Sequence, residues 1–207
     1  GDCDAIEGRG AIAEVVVVEP TPPVRSPRSN PATLSKAFDG IRKRFAATRE
    51  ARDLGVDAGW FSFNRPGGRC EACEGAGEVV VEMHFLDDLR VPCDHCNGAR
   101  YRPEALRVRL AGRSIVEVLD MTLDEATVFF AEHAEIVERL RPYVRVGLGY
   151  LTLGQPLSTL SGGESQRLRI AAALGEERAR TLYVLDEPTT GLHPADVEVL
   201  LACLDEL

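Results

Sequence analysis

Several things are missing from this 207-residue chain, and each absence narrows what it can do. No apolar run approaches the roughly 20 residues that cross a bilayer as a helix. The first ten residues, GDCDAIEGRG, carry neither a basic start nor an apolar centre, so they do not read as a secretory signal. A reducing, cytoplasmic setting with no membrane partner is the expectation. Net positive charge is missing too: the formal balance is −9, which argues against nucleic-acid binding through bulk charge while leaving room for a local basic face. There is no internal repeat and no low-complexity tract. No GxxxxGK[ST] motif occurs, so there is no lysine-bearing phosphate cradle. Gly1 opens the chain without a Met, and Leu207 closes it inside a helical pattern, VEVLLACLDEL; a segment of a larger protein is expected.

What is present begins with AEVVVV (13–18), a short buried-strand pattern, followed by the proline-rich PTPPVRSPRSNPAT (20–33), an extended loop carrying Arg25 and Arg28. Helical periodicity runs from Leu34 to about Asp53 with Phe38, Ile41 and Phe45 on one face. EALRVRL (104–110) alternates like a half-exposed strand. Two or three helices are expected between Ser114 and Arg145, one of them started by a capping box of Thr122 and Glu125. TLYVLDEP (181–188) reads as a buried strand ending in acids, and Pro194 suits the first turn of a last helix.

Two motif groups carry chemistry. Cys70 and Cys73 form one CxxC, Cys93 and Cys96 a second, with 19 residues between. Two such knuckles make a tetrahedral four-cysteine cage with no open position, so structural Zn²⁺ is expected; disulfides or an iron–sulfur cluster are the alternatives. His84 and His95 are spare nitrogens nearby, and Cys3 and Cys203 read as plain thiols. Around the cage lie Arg65, Arg69, Arg90, Arg100, Tyr101 and Arg102, with Arg25, Arg28, Lys36, Arg42, Lys43 and Arg44 upstream. Taken singly these read as a solvated charged face; as a group, with Arg25, Arg28, Lys43, Arg69, Arg100 and Arg102 foremost, they suit contact with a phosphate backbone.

The second group is LSGGESQ, in which Ser161 and Glu164 form a capping box and Gly162 and Gly163 leave backbone N–H groups open to an anion. Twenty residues later an apolar strand ends in Asp186 and Glu187, the arrangement in which the first acid holds Mg²⁺ and the second orients or deprotonates a water.

LSGGE followed by YVLDEP resembles the ABC ATPases. Together with RSPRSNPAT, FSFNRPGGRCEACEGAG, EMHFLDD, VPCDHCNGARY, VGLGYLTLGQP, LSTLSGGESQRLRIAAAL and TLYVLDEPTTGLHP, it is similar to the UvrA family of bacterial nucleotide excision repair, over nearly the whole chain. The resemblance implies an α/β fold: an ABC-ATPase cassette fragment, P-loop NTPase-like, with an inserted four-cysteine zinc module and a helical signature subdomain. It divides the chain into a core strand and Q-loop-like segment (1–33), a helical part of the signature and DNA-binding subdomain (34–65), the zinc module (66–102), a strand plus helical signature subdomain (103–156), and the signature, Walker B, D-loop and following helix (157–207). It implies ATP and Mg²⁺ as ligands beside Zn²⁺. Ser161, Gly162, Gly163, Glu164 and Gln166 would serve the ATP of an opposing cassette, while Asp186 and the catalytic Glu187 would serve the ATP of their own. GLHPAD (191–196) matches the D-loop, and His193 lies too close behind the acids to be the family's switch histidine. The implied partners are damaged double-stranded DNA, UvrB and a second copy joined through the cassettes, for an ATPase that is complete only in the whole protein.

One departure stands out. The family's stretch reading roughly IDQSPIGR corresponds here to VEPTPPVR, which puts Pro20 where the glutamine stands and Val24 where a glycine stands. Proline cannot ligate or donate. Either Glu19 or Thr21 substitutes, or hydrolysis is slow or differently coupled, as in a diverged UvrA paralogue, including one tied to drug resistance. An ABC transporter subunit and a non-catalytic zinc scaffold are the other readings; the cysteine-bearing insertion speaks against the first and Glu187 against the second.

Overall fold

A computed structural model describes residues 9–18, 26, 28–81, 83, 89–175, 180–189 and 194–205, with the backbone alone at 9, 195, 196 and 203. Glu19, Pro20, Thr21, Val24, Arg25, His84 and His193, and with them most of the Q-loop-like and D-loop stretches, lie outside the described residues, as do Cys3 and the Cys203 side chain.

Strand β1 (Glu14–Val18) pairs in parallel with β4 (Thr181–Leu185), in register from Glu14 opposite Thr181 to Val18 opposite Leu185. The N-terminal turn is tied to the same place, because Arg180 donates through Nε to the Ala11 carbonyl at 2.8 Å. The apolar runs predict two buried strands. They are only half so, with Val15 54% and Val17 56% exposed, because among the described residues the sheet has just these two strands and one helix that packs on it, α8 (Gly162–Leu174).

Everything between those strands is one excursion. The helical stretch after Leu34 is not continuous but three short helices, α1 (Pro31–Leu34), α2 (Ala37–Ala46) and α3 (Arg49–Asp53). The first of them cuts into the segment read as extended loop. Asn30 and Thr33 make its reciprocal cap, and Pro31 occupies the first turn, where a missing N–H does no harm. Lys36, with φ 63°, breaks the path to α2, and Thr48 caps α3. Phe38, Ile41 and Phe45 do share the buried face.

A hairpin of β2 (Glu78–Val81) and β3 (Leu89–Pro92) follows, antiparallel from Glu78 opposite Pro92 to Val81 opposite Leu89. EALRVRL is not the strand its alternation suggests: its first four residues belong to helix α4, which spans Pro103–Arg107. Proline at its first position, Glu104 in the first turn and Arg107 in the last favour the helix, and only an isolated bridge between Leu110 and Arg113 remains of the β pattern. Helices α5 (Ile115–Leu119), α6 (Leu123–Phe129) and α7 (Ala134–Tyr143) then form, the first two opened by capping boxes of Ser114 with Glu117 and Thr122 with Glu125.

The main core joins these helices to α8 through Ile41, Phe45, Phe61, Phe63, Phe130, Ile136, Leu140 and Leu168. Helix α2 lies so close on α7 that a methyl group at Gly40 would stand 2.7 Å from Ile136. After α7 the chain passes a wide turn of π-helical pitch, Val144–Leu148, in which Gly147 takes φ 76°. The buried Arg167 of α8 donates to the carbonyls of Val146 and Gly147 at 3.5 Å and locks that turn to the helix. Helix α9 (Pro194–Asp205) starts at the proline, as its position suggests, and packs on the same turn.

Candidate zinc centre and nucleotide half-sites

The two CxxC segments fold alike. In each, the residue after the second cysteine and the glycine that follows it take left-handed backbone: Glu74 and Gly75 (φ 49° and 78°), then Asn97 and Gly98 (φ 50° and 82°). Gly75 N–H donates to the Cys70 carbonyl at 3.0 Å, and Asn97 N–H to the Cys93 carbonyl at 2.7 Å, so each loop closes over its own first cysteine. The glycine at 75 is required twice over, because a Cβ there would stand 1.9 Å from the Phe63 carbonyl oxygen. Cys93 N–H donates to the Gly77 carbonyl at 2.9 Å and Cys70 N–H to the Arg100 carbonyl at 2.9 Å, which brings the knuckles face to face.

The four sulfur atoms of Cys70, Cys73, Cys93 and Cys96 consequently lie within 4.8 Å of one another, and Cys73 Sγ is 3.7 Å from Cys96 Sγ. A tetrahedral zinc with Zn–S bonds of about 2.3 Å requires sulfurs about 3.8 Å apart, so the donor set fits that ion. Burial pushes the Cys73 thiol up, and pushes Cys96 up to about 12. Burial opposes ionisation at Cys93 as well, but the N–H groups of Cys96 and His95 outweigh it and hold that thiol below its usual range. Four thiols crowded like this resist becoming four thiolates unless a cation joins them. His95 is exposed and stands outside the four. The cage is a small satellite core of its own, completed by Ala76, distinct from the main one.

Ser161 caps α8 as its spacing implies: Ser161 N–H donates to Glu164 Oε2 at 2.7 Å and Glu164 N–H to Ser161 Oγ at 3.2 Å. The Tyr150 hydroxyl adds a third bond, to Glu164 Oε1 at 2.7 Å, for which the sequence holds no local signal. Burial works against the charged carboxylate of Glu164, yet these donors prevail and its pKa is lowered. Ser161 and Gly162 are exposed, and beyond its chain neighbours and its own helix no atom of the described residues lies within 4 Å of where a Gly162 Cβ would stand, so the helix start is open to an incoming anion. Asp186 and Glu187 are both exposed at the end of β4, and Glu187 is held at φ 44°. Gln166, read with the signature residues, turns its side chain toward the acids: Nε2 donates to the Glu187 carbonyl at 2.8 Å and approaches that of Asp186 at 3.5 Å.

The basic residues divide into two kinds. Arg69 and Arg102 flank Glu71 at 3.1 and 3.8 Å, and the hydrogen bond from Arg69 is first among the influences that lower the Glu71 pKa. Arg28 reaches the first knuckle, donating to the Glu74 carbonyl at 3.1 Å. Arg90 pairs with Glu78 across the hairpin. Arg100 turns inward, its guanidinium over the Phe63 ring and donating to the Gly154 carbonyl at 3.3 Å, and burial lowers its pKa. Lys43 is exposed; with Lys36, Arg44 and Arg139 it lines a groove of about 390 Å³ between α2 and α7. Arg25 lies outside the described residues.

No family model matches the chain. Over an alignment 208 positions long that takes in all of the chain, it is 53% identical to UvrABC system protein A of Thermus thermophilus, and over 204 positions, 98% of the chain, it is 52% identical to that of Haemophilus ducreyi. Each alignment covers 22% of the relative, so the chain spans about a fifth of the length of the curated relatives it matches. The crystal structure of UvrA2 from Deinococcus radiodurans superposes with a TM-score of 0.92 at 51% identity, covering 97% of this chain and 24% of that one. With identity near one half along its entire length and a backbone shared with a UvrA2, this chain belongs to the UvrA family, as the counterpart of about a fifth of a UvrABC system protein A.

Proposed function

We propose that this chain is part of the second cassette of a UvrA-type ABC ATPase that acts in nucleotide excision repair, scanning double-stranded DNA for damage and loading UvrB. The observation that carries the reading is that one excursion from one parallel strand pair holds a four-sulfur cage and an open capped glycine helix, and that the second strand ends in an acid pair bonded to that helix. No helix of the described residues is long and apolar enough to cross a membrane, and the setting proposed is the cytoplasm.

In this reading the N–H groups at the start of α8, with Ser161, Gly162 and Gly163, hold the γ-phosphate of an ATP bound to the opposing cassette of a homodimer. Glu164 is committed to the cap and to Tyr150, and keeps that start in shape. Asp186 would hold Mg²⁺ for the ATP of its own cassette, and Glu187 would orient a water. Bound Mg²⁺ supplies charge neutralisation on the phosphate oxygens. Cys70, Cys73, Cys93 and Cys96 would hold Zn²⁺ and so fix the knuckles, whose Arg102, with Arg69 beside it on Glu71, would face DNA, with Arg28, Lys43 and Arg25 extending the basic face. Arg100 has a different part here: its inward side chain ties the knuckle to the loop at Gly154 that leads to the signature helix. Distortion of the duplex would be sensed through backbone shape and not through base edges.

Pro20 favours a second reading, a diverged paralogue in which hydrolysis is slowed because proline has neither donor nor ligand to offer at that point. The match to a UvrA2 at 51% is in keeping with it.

The test is DNA binding by the full-length protein, with Lys43 and Arg102 changed together to glutamate. Affinity should fall, and the plot of log affinity against log salt should flatten by about 0.9 for each phosphate that is no longer neutralised. Unchanged affinity and slope would refute the assigned DNA face.

A further inference from the structure

We infer that Gln166 is a positioning residue for Glu187, and that it links the two ATP half-sites carried by this chain. The inference rests on the ATPase reading above and adds a part to it.

The signature helix and the acid pair belong to separate motifs, and each would serve a different nucleotide. They are nevertheless joined by a direct bond. Gln166 lies one and a half turns into α8 from the Ser161 cap, on the face that returns toward the end of β4. Its amide donates to the Glu187 carbonyl at 2.8 Å, with the Asp186 carbonyl at 3.5 Å. Glu187 itself sits at φ 44°, a left-handed conformation that a side chain other than glycine adopts only where its surroundings hold it there. That backbone fixes the direction in which the Glu187 side chain leaves the chain. The amide of Gln166 fastens the carbonyl of this strained residue to the helix.

At the other end α8 is equally constrained. The reciprocal bonds of Ser161 and Glu164 and the Tyr150 hydroxyl fix its first turn, and the buried Arg167, next to Gln166, anchors it to the turn at Val146 and Gly147. A displacement of the helix start, such as engagement of a triphosphate by the Ser161–Gly163 N–H groups, is therefore passed to the Glu187 backbone through the Gln166 amide. Gln166 acts through Glu187 and does not itself touch a nucleotide.

The experiment is steady-state ATP turnover by the full-length protein carrying Gln166→Met, which keeps length and removes the donor, Gln166→Lys, which keeps a donor, or Glu187→Gln, and the Gln166→Met/Glu187→Gln double variant. Gln166→Met should lower kcat about 10-fold or more with KM for ATP within about 2-fold, since the loss is one of alignment and not of binding. Gln166→Lys should recover most of that loss, and the double variant should turn over no more slowly than Glu187→Gln alone. A raised KM with kcat retained would show that Gln166 touches nucleotide, and unchanged kinetics in Gln166→Met would show that the bond does not matter; with Glu187→Gln inactive, either result overturns this inference alone. Full turnover by Glu187→Gln overturns the ATPase assignment of Glu187 and the inference with it.

Discussion

Removing metal from the four-sulfur cage should open residues 70–98 while leaving the helical core folded. The reason is the size of what the cage encloses. Its own core is Cys70, Cys73 and Cys93 with Ala76 and Cys96 packed against them, and the hairpin it carries leaves Val80 and Leu89 about half exposed, at 48% and 52%. Three buried cysteines contribute about 1 kcal/mol each by apolar burial, whereas four thiolate bonds to zinc are worth on the order of 10 kcal/mol or more. Zinc bound there would therefore dominate the local balance, and its removal should leave the knuckles open. The main core meets the cage only at its border, where Phe63 and Tyr101 adjoin the knuckles, and its centre at Ile41, Phe45, Ile136 and Leu140 is fully buried without a cage residue in the cluster. Trp60, the single tryptophan, reports the event from the border. It is packed under Gly67 and Gly68, where a Cβ would stand 2.9 and 3.1 Å from its indole ring, and the segment that enters the first knuckle runs over it. A zinc chelator in reducing buffer should shift Trp60 emission to the red and lower hydrogen-exchange protection across 70–98 by about 10³-fold, which corresponds to roughly 4 kcal/mol, with protection in α2 and α7 retained. Protection and emission that stay put after the metal is shown to be gone would refute the argument that the ion holds this module closed.

Two further outcomes follow from individual side chains. Tyr101 is buried and donates to the Phe61 carbonyl at 2.8 Å, so Tyr101→Phe should leave that carbonyl without a partner and destabilise the fold by about 1–3 kcal/mol in urea denaturation. Glu164 has a lowered pKa in the fold, so its contribution is present above the unfolded value near 4.5 and is lost as pH falls from there through the lower folded value; Glu164→Gln should flatten the acid limb of a stability–pH curve in that window, and an unaltered limb would count against the cap as its source.

The sequence made some of this visible because local chemistry decided it. The matched CxxC spacings were enough to expect four sulfurs together, and the serine and glutamate three apart were enough to place the start of α8 at Ser161. Where two local signals competed, the reading failed. EALRVRL alternates, but Pro103 at a first turn decided for helix. The valines of β1 look like a buried run, but their burial depends on how many strands and helices cover them, which periodicity does not record. The direction of Gln166 and of Arg100 depends on the return of a distant segment, β4 in one case and the loop at Gly154 in the other, and no spacing within either motif encodes it.

The parallel pairing of Glu14–Val18 with Thr181–Leu185 bears on how the molecule assembles. Its partners are separated by more than a hundred and fifty residues of chain, and closing so long a loop while it is still loose is entropically unfavourable. Once the helices and knuckles have condensed, the free ends of that loop are already brought near each other, and zipping the strands costs far less. On that argument the inserted body should form first, and the five-residue seam that ends just before the acid pair should be sewn last. The turn carrying Asp186 and Glu187 would then take its place only in chains whose interior is already formed.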